Sequence, residues 1–165
     1  DALVESVSAR VHLVPHVAHP QHDDEEFMSV VACRHRELKP AAAKRVVQVP
    51  LFGDAAAMKA WIGELSLFVG ARMHACIAAI SSGVPTVPLS YSLKGSALAK
   101  DVIGSEEFAV DLGEPIEVVM HRLEMLCGRA EEIGARIEAR LPTVRERARS
   151  AAKRLAEVVN AHPAA

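Results

Sequence analysis

Short runs rich in β-branched residues alternate along this chain with stretches of helical periodicity. That alternation constrains the fold most, because strands separated by helix-length segments pair in parallel. Residues 11–15 (VHLVP) and 45–50 (RVVQVP) are the first two runs. Between them Asp23, Asp24, Glu25 and Glu26 open a helix whose positive end their carboxylates complement, and apolar Phe27, Val30 and Val31 follow. Asp54 caps a second helix reaching Leu65, and residues 67–70 (LFVG) read as a third strand. Residues 73–81 are alanine-rich and helical, stop at Ser82-Gly83, and give way to a fourth strand, residues 85–90, in which Pro88 is awkward. A short helix over 96–103 leads to a fifth strand at 108–112, and residues 116–162 form a long C-terminal helical segment, broken or kinked at Pro142. The expected architecture is α/β, one doubly wound, Rossmann-like parallel sheet of about five strands occupying residues 1–165. Ligands of such sheets bind beyond the carboxyl ends of the strands, which directs attention to the loops after Pro15, Pro50, Val69, Leu89 and Leu112.

Composition narrows the function. The chain has 165 residues, half of them hydrophobic, enough for one core. Nineteen Lys and Arg against twenty-one Asp and Glu give a formal net charge of −2, without the basic excess a nucleic-acid binder needs. Cys33, Cys76 and Cys127 are odd in number and show no CxxC spacing, which points to a reducing compartment, the cytoplasm. Residues 65–89 are apolar but interrupted by Arg72, His74 and two prolines, short of the roughly 18 apolar residues a membrane span needs. The chain begins at Asp1 in a helical stretch, residues 2–9, with no signal peptide, and is expected to be a fragment of a longer chain.

Several loops carry chemistry. The third strand ends at Gly70, and Arg72-Met73-His74 then opens a helix, placing a guanidinium and an imidazole where unpaired backbone N–H groups favour an anion. Gly70 allows a close backbone turn there, and Ala75, Cys76, Ala78 and Ala79 let the helix pack tightly on the sheet. His16 follows the end of the first strand and titrates near neutral pH. His19, His22, Asp23 and Asp24 come close behind it, but these spacings match no zinc pattern, so no metal is expected. After the fourth strand a polar loop holds the only tyrosine, Tyr91, together with Lys94. Residues 129–154 carry eight basic against four acidic side chains at helical spacing, the pattern of a solvated face or of a helix resting on an anionic membrane surface.

Residues 68–94 taken together resemble the polysaccharide pyruvyl transferase family. Arg72-Met73-His74 at a strand end, the alanine-rich helix, the Gly83-Val84-Pro85 turn, the short strand, and Tyr91 followed by Lys94 stand in the family's order. The Pro15-His16 strand end and Asp23-Asp24 resemble its upstream pattern, so the likeness covers about residues 11–112. Gly70-Ala71 departs mildly from the commoner residues before the arginine.

The resemblance implies the C-terminal half of a two-domain enzyme similar to type B glycosyltransferases (GT-B), its own N-terminal domain forming the other wall of a cleft. It implies transfer of a carboxyvinyl (pyruvyl) unit from phosphoenolpyruvate to a sugar of a cell-surface polysaccharide or glycolipid, forming a pyruvate ketal. The site would comprise His74 and His16 as catalytic groups, with Arg72, Met73, Lys94, Tyr91 and Gly70 binding substrate. The donor is a substrate, no cofactor is implied, and isolated residues 1–165 would not turn over. The expected location is the cytoplasm, at the inner face of the membrane where acceptors are lipid-linked. Two other readings compete. One is a GT-B glycosyltransferase or related sugar-nucleotide enzyme, with Glu106, Glu107 or Asp111 holding a ribose; the other is a non-catalytic binding module.

Overall fold

The computed structural model describes residues 10–17 and 23–161; the helical stretch read at residues 2–9 and both His19 and His22 lie outside them. Strand β1 is Val11–Leu13 and helix α1 Asp24–Leu38, capped by Asp23, whose carboxylate accepts the N–H groups of Glu25 and Glu26. The buried His35 on α1 lies with its Nε2 3.3 Å from the Ala42 carbonyl, tying the 3-10 turn Pro40–Arg45 onto the helix before strand β2, Val46–Gln48. Asp54 caps α2, Ala55–Ile62, through the Ala57 N–H at 2.8 Å, so the helix starts as its sequence predicts and ends a turn earlier. Strand β3 (Phe68–Gly70), helix α3 (Met73–Ser81) and strand β4 (Thr86–Ser90) follow, with Gly83 at φ +83° reversing the chain after α3. Helix α4 is Leu93–Leu98, starting earlier than the expected 96, and widens into a π-helical turn over Ala99–Ile103. Strand β5, Val110–Asp111, precedes α5, Ile116–Gly128, and α6, Ala130–Ala161.

The chain is α/β and its strands pair in parallel, but among the described residues five strands do not form one continuous sheet. Hydrogen bonding divides them into a pair, β1-β2, and a triple, β3-β4-β5. The strands are two to five residues long, so each ladder rests on few bonds. What joins the pair to the triple is side-chain packing: the Trp61 ring meets His12 edge-on at 5.3 Å, and Met58 reaches His16. Pro88 is fully buried in β4 and does not break it. The β3 ladder ends at Gly70 opposite Pro88, and the β5 ladder begins one residue later at Leu89 opposite Val110, so the missing N–H falls at the handover.

Two clusters form the core. Val87, Ile103, Phe108, Val110, Leu126, Ile133 and Ile137 fill the space between β4, β5 and the last two helices. Met58, Ile62, Phe68, Ala75, Cys76 and Ala79 pack α2 and α3 around β3.

The break in the C-terminal helical segment falls at Arg129, not at Pro142. Arg129 leaves helical geometry (φ −102°, ψ 20°) just after Gly128, bonds Glu132 at 2.8 Å and lies 4.7 Å above the Phe108 ring. Pro142 sits inside α6 on an exposed position, four residues after the exposed Glu138, whose freed carbonyl lies on the wet side where water can satisfy it.

Candidate functional site

Asp24, in the first turn of α1, joins the two halves of the strand set. Its Oδ2 accepts the backbone N–H groups of His16 at 3.1 Å and Val17 at 3.0 Å, fixing the loop that leaves β1. Its Oδ1 accepts the Arg72 guanidinium at 2.7 Å, and the Asp24 side chain is 17% exposed. Burial pushes the Asp24 carboxyl upward. The hydrogen bond from Arg72, the two backbone N–H groups and the Arg72 charge outweigh it and hold the group below the usual carboxylate range. The sequence marks Asp24 as a helix-start carboxylate and as part of the upstream pattern of the family likeness; its pairing with a residue 48 positions away leaves no local signal.

Arg72 is the N-cap of α3 and makes no side-chain bond to that helix, so the first-turn N–H groups of α3 have no side-chain cap among the described residues. The Asp24 bond raises its pKa, burial opposes this, and the charges of Asp24 and then Tyr91 add to the rise. Only one of its N–H donors is engaged among the described residues, which leaves the rest of the fork for a ligand. Gly70 is required just before it. A Cβ there would run into the Phe68 ring and come within 3.1 Å of the Cys76 sulfur, which itself donates to the Gly70 carbonyl. Burial pushes the Cys76 thiol up to about 11, so it is a packing group rather than a nucleophile.

His16 is half-buried, and burial lowers its pKa first; the neighbouring His74 lowers it further, Asp24 raises it and Arg72 lowers it again. His16, Asp24, Arg72 and His74 thus form one electrostatic group at the carboxyl ends of β1 and β3. His74 is exposed in the first turn of α3, and Met73 beside it is partly buried. Tyr91 is 74% exposed after β4 and is felt electrostatically by Arg72. Lys94 is exposed in the first turn of α4 and makes no hydrogen bond or ion pair to the group among the described residues.

Glu106 and Glu107 precede β5, at the opposite edge of the sheet, and pair with Lys100 at 2.8 Å and Arg129 at 3.6 Å. Asp111 bonds the N–H of Gly113 at 2.8 Å. Each of the three thus has a partner within the chain through one of its carboxylate oxygens. Among the described residues no group of three or more His, Cys, Asp and Glu is placed to hold a metal ion.

This α/β chain brings a guanidinium and two imidazoles to the start of a helix at the ends of parallel strands, an arrangement whose chemistry suits an anion. A family model for polysaccharide pyruvyl transferases matches residues 1–92, more than half of the chain, and the chain belongs to that family. The matched span contains His16, Asp24, Arg72, His74 and Tyr91 and stops two residues short of Lys94. No curated protein and no solved structure matches the chain.

Proposed function

We propose that this chain binds phosphoenolpyruvate at the Arg72 end of β3 and, with a second domain closing the cleft as in GT-B enzymes, transfers its carboxyvinyl unit to a sugar of a cell-surface polysaccharide or glycolipid. The carrying observation is the Asp24 bridge, which sets Arg72 and His74 beside His16 where the strand pair meets the triple. The meeting of strand ends from the two sheets resembles the crevice of a topological switch point.

Phosphoenolpyruvate carries a phosphate and a carboxylate. The free edge of the Arg72 fork suits one of them, and the open N–H groups of α3 suit the other. Lys94, exposed on the next loop, adds a mobile positive charge, and Tyr91 offers a ring face to the sugar. Protonation of the enol CH2, with His74 as donor, makes C2 electrophilic. The sugar oxygen bonds to C2 as His16 takes its proton, and the C2–O bond to phosphate breaks with the pair leaving on phosphate. A second hydroxyl of the sugar attacks C2 and gives its proton to His74, which the first step left unprotonated, closing the ketal. Each proton transfer contributes typically 10²–10⁴-fold.

Titration of the full-length enzyme separates the readings. Phosphoenolpyruvate, and not a sugar nucleotide, raises the melting temperature. Stabilisation by the sugar nucleotide alone overturns the proposal.

The same reading puts the enzyme at a cytoplasmic membrane face. No helix among the described residues is long and apolar enough to cross a membrane. The distal part of α6, with exposed Leu155 and Val159 and with Lys153 and Arg154 beside them, supports peripheral contact with anionic lipid. Co-sedimentation with anionic vesicles, lost at high salt, is the expected result.

A further inference from the structure

The ring of His16 is held by an unusual partner. Its Nδ1 lies 2.9 Å from the sulfur of Met58 on α2. A thioether has lone pairs and no proton, so in this contact the imidazole is the donor. Met58 is 7% exposed and packed with Ile62, Phe68, Ala75 and Ala79, which leaves its sulfur little room to turn away. His16 Nε2 makes no hydrogen bond among the described residues. Among the described residues the charged and titratable groups around the ring are Asp24, Arg72 and His74, and Asp24 spends its oxygens on the Arg72 guanidinium and the two backbone N–H groups rather than on the imidazole.

We infer that Met58 is a positioning residue that locks His16 in the Nδ1–H tautomer, so that the Nε2 lone pair is the one available to take a proton from the acceptor hydroxyl. The tautomer follows from the contact alone; its catalytic consequence rests on the transferase reading above. In serine-type hydrolases a carboxylate fixes the corresponding tautomer, and its loss is expensive because the base nitrogen is then protonated. Here a neutral sulfur has that role. It selects the tautomer without adding a negative charge that would favour imidazolium, which suits a ring already disfavoured as a cation by burial and by its neighbours His74 and Arg72. When Nε2 accepts the hydroxyl proton, the sugar oxygen forms its bond to C2 and the imidazolium returns the proton to solvent after phosphate departs.

The test uses full-length enzyme labelled with 15N in histidine, with His16 assigned by its disappearance in His16→Gln. Ring correlation spectra of the wild type above the His16 titration are expected to show the proton on Nδ1. Met58→Leu keeps the volume and removes the acceptor, and shifts the proton to Nε2. Met58→Gln returns an acceptor at similar reach and restores Nδ1–H. Kinetically, Met58→Leu lowers kcat about tenfold and leaves the KM for phosphoenolpyruvate within about twofold, and Met58→Gln recovers most of the rate. A wild-type ring protonated on Nε2 overturns the inference whatever the variants do, and needs no variant to fold. A tautomer that shifts in Met58→Leu with kcat unchanged leaves Met58 as the tautomer lock and removes His16 as the base. Failure of phosphoenolpyruvate to bind, with the Nδ1–H spectrum intact, sinks the transferase reading alone.

Discussion

Arg72 combines an end bonded to Asp24 with one that meets no partner among the described residues, and this division makes its replacement informative. Lysine keeps the charge but loses the fork, so on the proposed function Arg72→Lys in the full-length enzyme is expected to raise the phosphoenolpyruvate KM and lower kcat, about tenfold or more in kcat/KM, with the fold retained. Unchanged kinetics would place Arg72 outside the site. Asp24 answers to a different measurement. Its carboxyl titrates below the usual value, so it stabilises the fold above the unfolded carboxylate range, and that stability is lost as pH falls through the folded value. His16, also depressed, disfavours the folded state as pH drops from the ordinary histidine range toward its own lower value. Urea titrations across pH are therefore expected to show an acid-side loss in two steps. Asp24→Ala removes the lower step and costs about 1–3 kcal/mol at neutral pH, since two backbone N–H groups and a guanidinium lose their acceptor together. Arg72, His74 and His16 were legible in the sequence because each follows a strand end. The bond between Asp24 and Arg72 was hidden, since helix-dipole complementarity already accounts for an acidic residue at that position.

At the scale of elements, positions were more legible than partnerships. All five strands lie within the runs of β-branched residues, and Asp54 caps its helix where expected; that Asp23, read only as part of an acidic helix start, is the cap of α1 is a finding of the structure. Which strand bonds which was not legible. Strands of two to five residues carry too few ladder bonds to impose one sheet, and side chains of α2 and α1 make the connection instead. The expected break at Pro142 was misplaced for a related reason. A helix loses one bond at a proline and can hydrate the freed carbonyl, whereas the ion pairs and ring contact of Arg129 reward leaving the helix. Gly70 tests how tightly the third strand is bound to its helix. Gly70→Ala pushes a methyl group into Phe68 and Cys76 and is expected to cost about 1–3 kcal/mol in denaturant titrations. Because Arg72 lies two residues on, the proposed function further predicts weaker phosphoenolpyruvate binding in this variant, and Phe68→Leu, which opens the space, is expected to recover part of both losses.

On the scale of the whole molecule, α6 divides into a part that builds the domain and a part that leaves it. Ile133, Ile137 and Leu141 are buried against the β4-β5 core, and the same helical stripe continues through Ala148, Leu155 and Val159, all exposed. Periodicity alone could not show where burial ends, because the apolar spacing runs on unchanged past the last residue it covers. Arg147, bonded to Asp101 at 2.9 Å, and Arg145, bonded to the Ser81 carbonyl at 3.0 Å, tie the middle of the helix to the domain. Deleting residues 151–161 is therefore expected to change the free energy of unfolding by less than about 1 kcal/mol, since the deleted side chains are exposed. Ile137→Ala, one turn before the stripe emerges, costs about 2–5 kcal/mol through the cavity it leaves. The two chains compared by thermal melting and by vesicle co-sedimentation separate the roles of the helix. The deletion keeps the melting temperature and loses lipid binding, whereas the cavity variant melts early and still sediments with anionic vesicles below its transition. A deletion that melts as early as Ile137→Ala would mean that the distal turns belong to the core after all.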